Sequence, residues 1–326
     1  MKSIRHLTRE DWLREGERFR RSYQSAYYAM YSSLWEGIVT DPLLMMVPAD
    51  DHVVHRGDGV FEAVKCTGGA LYNLSAHLDR LQASSDRLSL VWPWSRGEMS
   101  DRILATLSAG GHPEAMVRIF VTRGPGGFAV NPYECPSPQM YCVVTSLSQP
   151  FMANHPGGAR VRTSGLPAKA AYMATVKNCN YVPNMLMKKE AVDAGVDFVA
   201  GYDENGFMTE GATENLGIVT ADRRLIFPRL GGILPGTTML RVMELARALV
   251  GNGLLRAVET GNLTRADVIS AAELLITGTT VNVTAGVEYD GRHVGAGVPG
   301  PVQQALDALL ITDMTTNPAV RTMVFS

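Results

Sequence analysis

The sequence has little that would support a secreted, metal-bound or membrane-embedded protein. Its 326 residues include only four cysteines, Cys66, Cys135, Cys142 and Cys179. None form a C-x-x-C pair, and no histidine lies at zinc-site spacing, so the sequence predicts reduced thiols and no metal site. No run of about 18 apolar residues exists, so no membrane-spanning helix is expected. No apolar stretch follows the first positive charges, which argues against a signal peptide. These features together lead to an expectation of a cytoplasmic protein. Charge of one sign is also missing. The chain has 30 Lys+Arg against 32 Asp+Glu, a net charge of −2. No basic cluster is long enough to track a phosphate backbone, so no nucleic-acid partner is expected. The basic stretch REGERFRR is interleaved with acids and reads as a solvated face. Both G-x-G-x-x-G and G-x-x-x-x-G-K-[ST] are absent, which argues against a dinucleotide or P-loop nucleotide site.

What is present is a chain long enough for two domains. Residues 1–45 read as an N-terminal helical extension. Thr8 and Asp11 can cap a helix start, and Tyr23, Tyr27, Met30 and Tyr31 fall at helical spacing as an aromatic stripe. Residues 46–150 read as a small α/β domain. It holds an alternating strand, GVFEAVKC, a short LYNL strand, a helix in HLDRLQASSDRLSL, and strands in RIFVTRG and MYCVVTSL. A Pro/Gly/Asn-rich shift gives a linker at 151–160. Residues 161–326 read as a larger domain. Two hairpins are expected there, VDFVAGY–DENG–GFMTEG and LGIVT–ADRR–LIFP. A Gly/Pro loop then opens a helix in GGILPGTTMLRVMELARALVGNG, and GPVQQALDALL forms a further one. The class is α+β, with two mixed α/β domains joined by a short linker.

One segment raises a chemical question. In ATVKNCNYVPN, Lys177 stands among small, apolar and amide side chains, with no acid close by to pair with it. An ordinary lysine would be exposed and solvated. A lysine in an apolar, water-poor site loses its proton more easily. Its neutral amine can then attack a carbonyl. Cys179, two residues on, has no visible base partner.

Four further segments can join Lys177. Glu210 in TEGATENLG is an acid at a Gly-bordered strand end. In ILPGTTML, Thr237 and Thr238 open a helix behind Gly236, where free N–H groups favour a phosphate; a plain Thr N-cap is the simpler alternative. In LITGTTVN, Thr279 and Thr280 sit in a turn that can form an anion nest, or an ordinary turn. Arg80 in HLDRL can bind a phosphate with two prongs. A lysine, a phosphate cradle and a carboxylate facing a ring nitrogen are what pyridoxal 5'-phosphate requires.

These residues also carry a resemblance. The ordered series GDGVFEAVK, HLDRLQASSDRL, RIFVTRGPGGFAVNP, VKNCNY, EGATENLG, LPGTT, TGTT and GPV is similar to the class IV, fold-type IV pyridoxal-phosphate aminotransferases. It spans about Gly57 to Pro301. That group includes branched-chain and D-amino-acid aminotransferases and aminodeoxychorismate lyases. The resemblance implies that Lys177 is the Schiff-base lysine and that Glu210 pairs with the pyridine nitrogen. It implies that Arg80, Thr237 and Thr238 form the phosphate cup. Tyr181, Thr279 and Thr280 would border the cofactor. Phe61, Lys65, Met116 and Arg118 fall around the substrate pocket, Arg118 matching an arginine used for a substrate carboxylate. A homodimer with the site near the subunit interface is implied too. This sequence departs from the pattern in three places. The R-x-H carboxylate trap of bacterial D-amino-acid transaminases is replaced by GGFAVNP. Met116 stands where branched-chain enzymes have a tyrosine, and the leader is longer. The resemblance implies an aminotransferase acting on a branched-chain-like or D-amino acid and a 2-oxo acid. A lyase of the aminodeoxychorismate type and a cofactor-binding protein without turnover are the alternatives.

Overall fold

The computed structural model describes residues 4–325. The first half contains α1 (Arg9–Glu15), β1 (Tyr27–Ser32), β2 (Gly37–Val39), α2 (His52–Arg56), β3 (Gly59–Thr67), β4 (Ala70–Tyr72), α3 (Leu74–Arg87), α4 (Arg96–Gly110), β5 (Ala115–Thr122), β6 (Gln139–Ser146) and α5 (Phe151–Asn154). The second half contains β7 (Ala159–Thr163), α6 (Ala171–Ala174), α7 (Val182–Asp193), β8 (Phe198–Ala200), β9 (Asn215–Val219), β10 (Arg224–Pro228), α8 (Thr237–Gly251), β11 (Ala257–Gly261), α9 (Arg265–Ile269), β12 (Glu273–Gly278), β13 (Asn282–Tyr289), β14 (Arg292–His293), α10 (Pro301–Thr316) and β15 (Arg321–Met323).

The strands form two sheets. The first has the order β15-β4-β3-β5-β6-β1-β2, and every neighbouring pair in it is antiparallel. One face of it is apolar: Val60, Val64, Val117, Ile119, Val121, Cys142 and Val144 pack with Leu78 and Leu81 of α3 and Ile103 and Leu107 of α4. Period-two alternation puts Phe61, Ala63 and Lys65 on the opposite face. That face looks toward the second sheet, whose order is β11-β10-β9-β12-β13-β7-β8. In it α8 and α10 cover one side through Met239, Val242, Ala246, Leu306 and Leu310. A cavity lined by residues of both halves lies between the two sheets.

The leader departs from its expected helical form. Thr8 and Asp11 do make the capping box of a helix, but α1 ends at Glu15. The segment YYAMYS is a strand bonded to both β6 and β2. The aromatic stripe is therefore split. Tyr31 joins the first core and the neighbouring Met30 points to the other face, while Tyr23 and Tyr27 stay exposed and meet edge to face at 5.9 Å. An unpaired β6 edge and tyrosine-rich sequence favour a strand over a helix. Residues 321–323 also leave the second half and pair with β4.

Candidate active site

Lys177 is held between β3 and α3 rather than by a helix or strand of its own. Its N–H donates to Ser84 Oγ at 3.2 Å, and its carbonyl accepts the Phe61 N–H at 2.9 Å. Cys179 N–H donates to Gly59 O at 2.8 Å, so the segment runs beside β3 like a short added strand. The side chain enters a cavity of about 290 Å³, lined among others by Phe61, Ala63, Arg80, Arg118, Lys177 and Tyr181. Nζ lies 4.6 Å from the Phe61 ring centre and 5.9 Å from that of Tyr181. Burial pushes its pKa down to about 8; the Arg80 charge pushes the same way, and Glu62 and Glu210 oppose. Cys179 is different. Burial pushes its thiol up to about 12, so it is no nucleophile at neutral pH.

Across the cavity, α8 presents its first turn. Its N-cap is Gly236, and no side chain caps the helix. Thr237 and Thr238 are thus its first two residues, and both line the cavity with Thr279 and Thr280 of the β12–β13 turn. A Cβ at Gly236 would sit 1.9 Å from Asn215 Oδ1. Only glycine lets the helix start come this close to β9. Asn215 in turn donates to Leu234 O at 2.9 Å, which fixes the loop leading to α8.

Arg80 reaches the same cavity from α3. Its Nε and Nη2 each lie 2.7 Å from an oxygen of Glu62, and Nη1 donates to Pro235 O at 3.1 Å. Glu62 is 0 % exposed. His77 Nδ1 is 2.7 Å from the same carboxylate, and its Nε2 is 3.2 Å from Thr237 Oγ1. A continuous polar chain therefore runs Thr237–His77–Glu62–Arg80. Burial alone would raise the Glu62 pKa, but the Arg80 charge and the hydrogen bonds of Arg80 and His77 bring it to about 2. Burial lowers the proton affinity of His77.

The sequence names most of this lining but misses Glu62 and His77, which stand behind it and hold Arg80 and Thr237. Glu62 is readable only as one polar step in an alternating strand. Three expected residues stand outside the lining. Lys65 and Met116 pair across β3 and β5, one step beyond Ala63 and Arg118. Lys65 Nζ donates to Asn282 Oδ1 at 2.5 Å, and burial pushes its pKa down to about 8. Met116 is fully buried. The two-residue step of the strand carries both past the cavity. Glu210 lies one layer behind. Its Oε2 accepts the Leu234 N–H at 2.9 Å, and Leu234 itself lines the cavity. Arg118, opposite Ala63, donates to Thr145 Oγ1 at 2.7 Å. Among the described residues it has no carboxylate partner within ion-pair distance.

This arrangement is that of an amine-based group-transfer site. Residues 59–289 match the model of the family "Amino-transferase class IV". The chain is 35% identical over 300 residues to a chloroplastic D-amino-acid transaminase of Arabidopsis thaliana, covering 91% of this chain and 80% of that one. It is 33% identical over 258 residues to a putative branched-chain-amino-acid aminotransferase of Methanocaldococcus jannaschii, covering 78% and 87%. A solved T.th. branched-chain amino acid aminotransferase with pyridoxamine 5'-phosphate superposes with a TM-score of 0.84 at 25% identity, over 92% of this chain and 99% of that one. The chain belongs to the class IV aminotransferase family, with the fold-type IV architecture, and is a transaminase. Among the described residues, no helix is long and apolar enough to cross a membrane.

Proposed function

We propose that the chain uses pyridoxal 5'-phosphate, held at Lys177, to move an amino group between an amino acid and a 2-oxo acid. The observation that carries this reading is the buried Lys177 amine in a cavity that ends in an uncapped helix start. The donor set fits the cofactor. The first turn of α8, Thr237, Thr238 and Arg80 suit a phosphate, Thr279 and Thr280 border it, and the Tyr181 and Phe61 rings flank the amine. Class IV aminotransferases are pyridoxal-phosphate enzymes, which supports the same assignment. When bound, the cofactor supplies a carbonyl for the amine and a sink for the electrons of the substrate α-carbon.

The chain's own residues supply the rest. Neutral Lys177 Nζ takes the proton from the substrate α-carbon and later returns one. Glu210, behind the cavity wall, holds a positive charge at the ring-nitrogen end. Arg118 binds a carboxylate of the substrate. Phe61 and Tyr181 exclude water from the amine. In this division the first sheet contributes Phe61 and Arg118 on the substrate side, and α8 with Arg80 of α3 forms the cofactor cup. We propose D-amino acids or branched-chain-like amino acids as substrates, supported by the names of the two relatives. We also propose a homodimer, supported by large exposed apolar side chains at Trp35, Phe128 and Tyr133, and a cytoplasmic location, supported by four unpaired cysteines.

Borohydride reduction of the purified protein, followed by peptide mapping, tests the reading. The expected cofactor adduct is on Lys177. An adduct on Lys169, or none, overturns it.

A further inference from the structure

Lys169 is the only other charged residue near Lys177 in this stretch, and nothing so far gives it a task. It lies on the loop between β7 and α6. That loop is tied down at its start, where the Ser164 hydroxyl and the Gly165 N–H donate to the Glu190 carboxylate at 2.6 and 2.8 Å. From there Lys169 Nζ reaches Glu210 Oε1 at 2.9 Å. The side chains are 17% and 12% exposed, so the pair is largely out of water. The other Glu210 oxygen takes the Leu234 N–H. Both oxygens are therefore held, one by a cation and one by the backbone of the cavity wall. Behind the pair is a second cavity of about 310 Å³, lined by Leu166, Pro167, Val182, Leu186 and Met187 beside Lys169 and Glu210. The ion pair thus stands between two cavities.

We infer that Lys169 is a positioning residue for Glu210: its ammonium fixes the direction of the carboxylate, so that the anion stays held against the cavity wall at Leu234. The inference rests on the reading that Lys177 carries the cofactor. Its physical basis is the cost of an unpaired charge in a water-poor place. Without Lys169, Glu210 would turn toward the nearest cation or water and lose its set geometry. The field would change as well. Glu210 draws a proton toward Lys177 and Lys169 repels one, so their effects partly cancel. The same amine is faced by Arg80 of α3 and Glu62 of β3, with His77 of α3 beyond them and Tyr181 at the start of α7. Changing Lys169 leaves all of these in place.

The test uses the holoenzyme. Borohydride mapping of the wild type comes first, and an adduct absent from Lys177 overturns the underlying reading without involving Lys169. With the adduct in place, the pH midpoint of the cofactor's visible band and the cofactor dissociation constant are measured in variants. Lys169→Met is expected to raise the midpoint by about half a pH unit or more, since a cation is lost and an anion uncovered. It should also weaken cofactor binding by about tenfold, roughly the loss of one charge-assisted contact. Lys169→Arg keeps the charge and is expected to restore both values. Should Lys169→Met fail to fold, Lys169→Gln, which keeps a donor without the charge, is read in its place. A neutral variant with wild-type midpoint and wild-type cofactor affinity overturns the inference. So does a midpoint shift that Lys169→Arg shares, because a structural role for the stem alone would then explain it.

Discussion

Glu62 and Arg80 form a two-pronged ion pair across the β3–α3 packing, with both contacts at 2.7 Å and the carboxylate wholly out of water. The pair aims the rest of the Arg80 guanidinium at the loop before α8. Glu62 therefore positions Arg80, a lining residue of the cavity, without lining the cavity itself.

Glu62→Gln keeps the shape but leaves Arg80 without its counter-charge. Breaking a buried pair in this way costs about 3 kcal/mol, to be read from urea unfolding at neutral pH. The pH dependence has a definite sign. Glu62 is depressed to about 2 in the folded chain. Its contribution is therefore complete above the unfolded carboxylate value of about 4.3. It is lost as the pH falls from there through about 2. The stability gap between wild type and variant should close over that window. A gap that stays constant to its acid end would show that packing, and not charge, is responsible.

The depressed pKa of Lys177 makes a kinetic prediction. Burial favours the neutral amine, so the group is deprotonated above about 8. Capture of added pyridoxal phosphate by cofactor-free protein should speed up about tenfold per pH unit below that point and level off above it. An ordinary lysine would keep accelerating to about 10.4. Stopped-flow absorbance separates the two curves.

Arg118→Lys keeps a positive charge and loses the planar fork. If Arg118 binds the side-chain carboxylate of a dicarboxylic partner, KM for 2-oxoglutarate should rise about tenfold, equivalent to about 1.4 kcal/mol. An apolar 2-oxo acid should change far less. Equal losses for both would assign Arg118 to the carboxylate that all substrates share.

The leader offers two deletions with opposite outcomes. Removing residues 1–20 takes away α1 but leaves β1, and the protein should fold with nearly unchanged melting temperature. Removing residues 1–34 also takes β1, whose Ala29 and Tyr31 fill the first core, and leaves the β6 edge open. That product should aggregate. Light scattering and thermal melts of both variants check the assignment of Tyr27–Ser32 as a strand.

Local features of the fold are legible in the sequence. The β9–β10 hairpin, α3 and the start of α8 follow from turn residues and apolar spacing that act within a few positions. The lining residues Phe61, Arg80, Arg118, Lys177, Tyr181, Thr237, Thr238, Thr279 and Thr280 are legible too, through the ordered motifs that contain them. Tyr27–Ser32 is not legible as a strand, because a short aromatic run suits helix and strand alike until its partner strand is known. Lys65 and Met116, expected around the substrate pocket, lie one strand step beyond the cavity lining. The Glu62–His77–Arg80 cluster and the Lys169–Glu210 pair join residues many positions apart in the chain. No local pattern encodes such contacts.

The pairing of Arg321–Met323 with β4 has a consequence for how the chain is made. Asn73 N–H donates to Val320 O at 2.6 Å, and Val324 and Phe325 N–H both donate to Gly69 O. The Tyr72 hydroxyl donates to Asp313 Oδ2 at 2.5 Å. During synthesis, the sheet that begins at Tyr27 waits with the outer edge of β4 bare until residues 321–325 leave the ribosome. Its edge is closed only when that segment emerges, a contact of very long sequence separation that slows this step of folding. A polypeptide that stops before residue 321 would therefore carry an open β-edge, suited to capture by a chaperone or by another nascent copy.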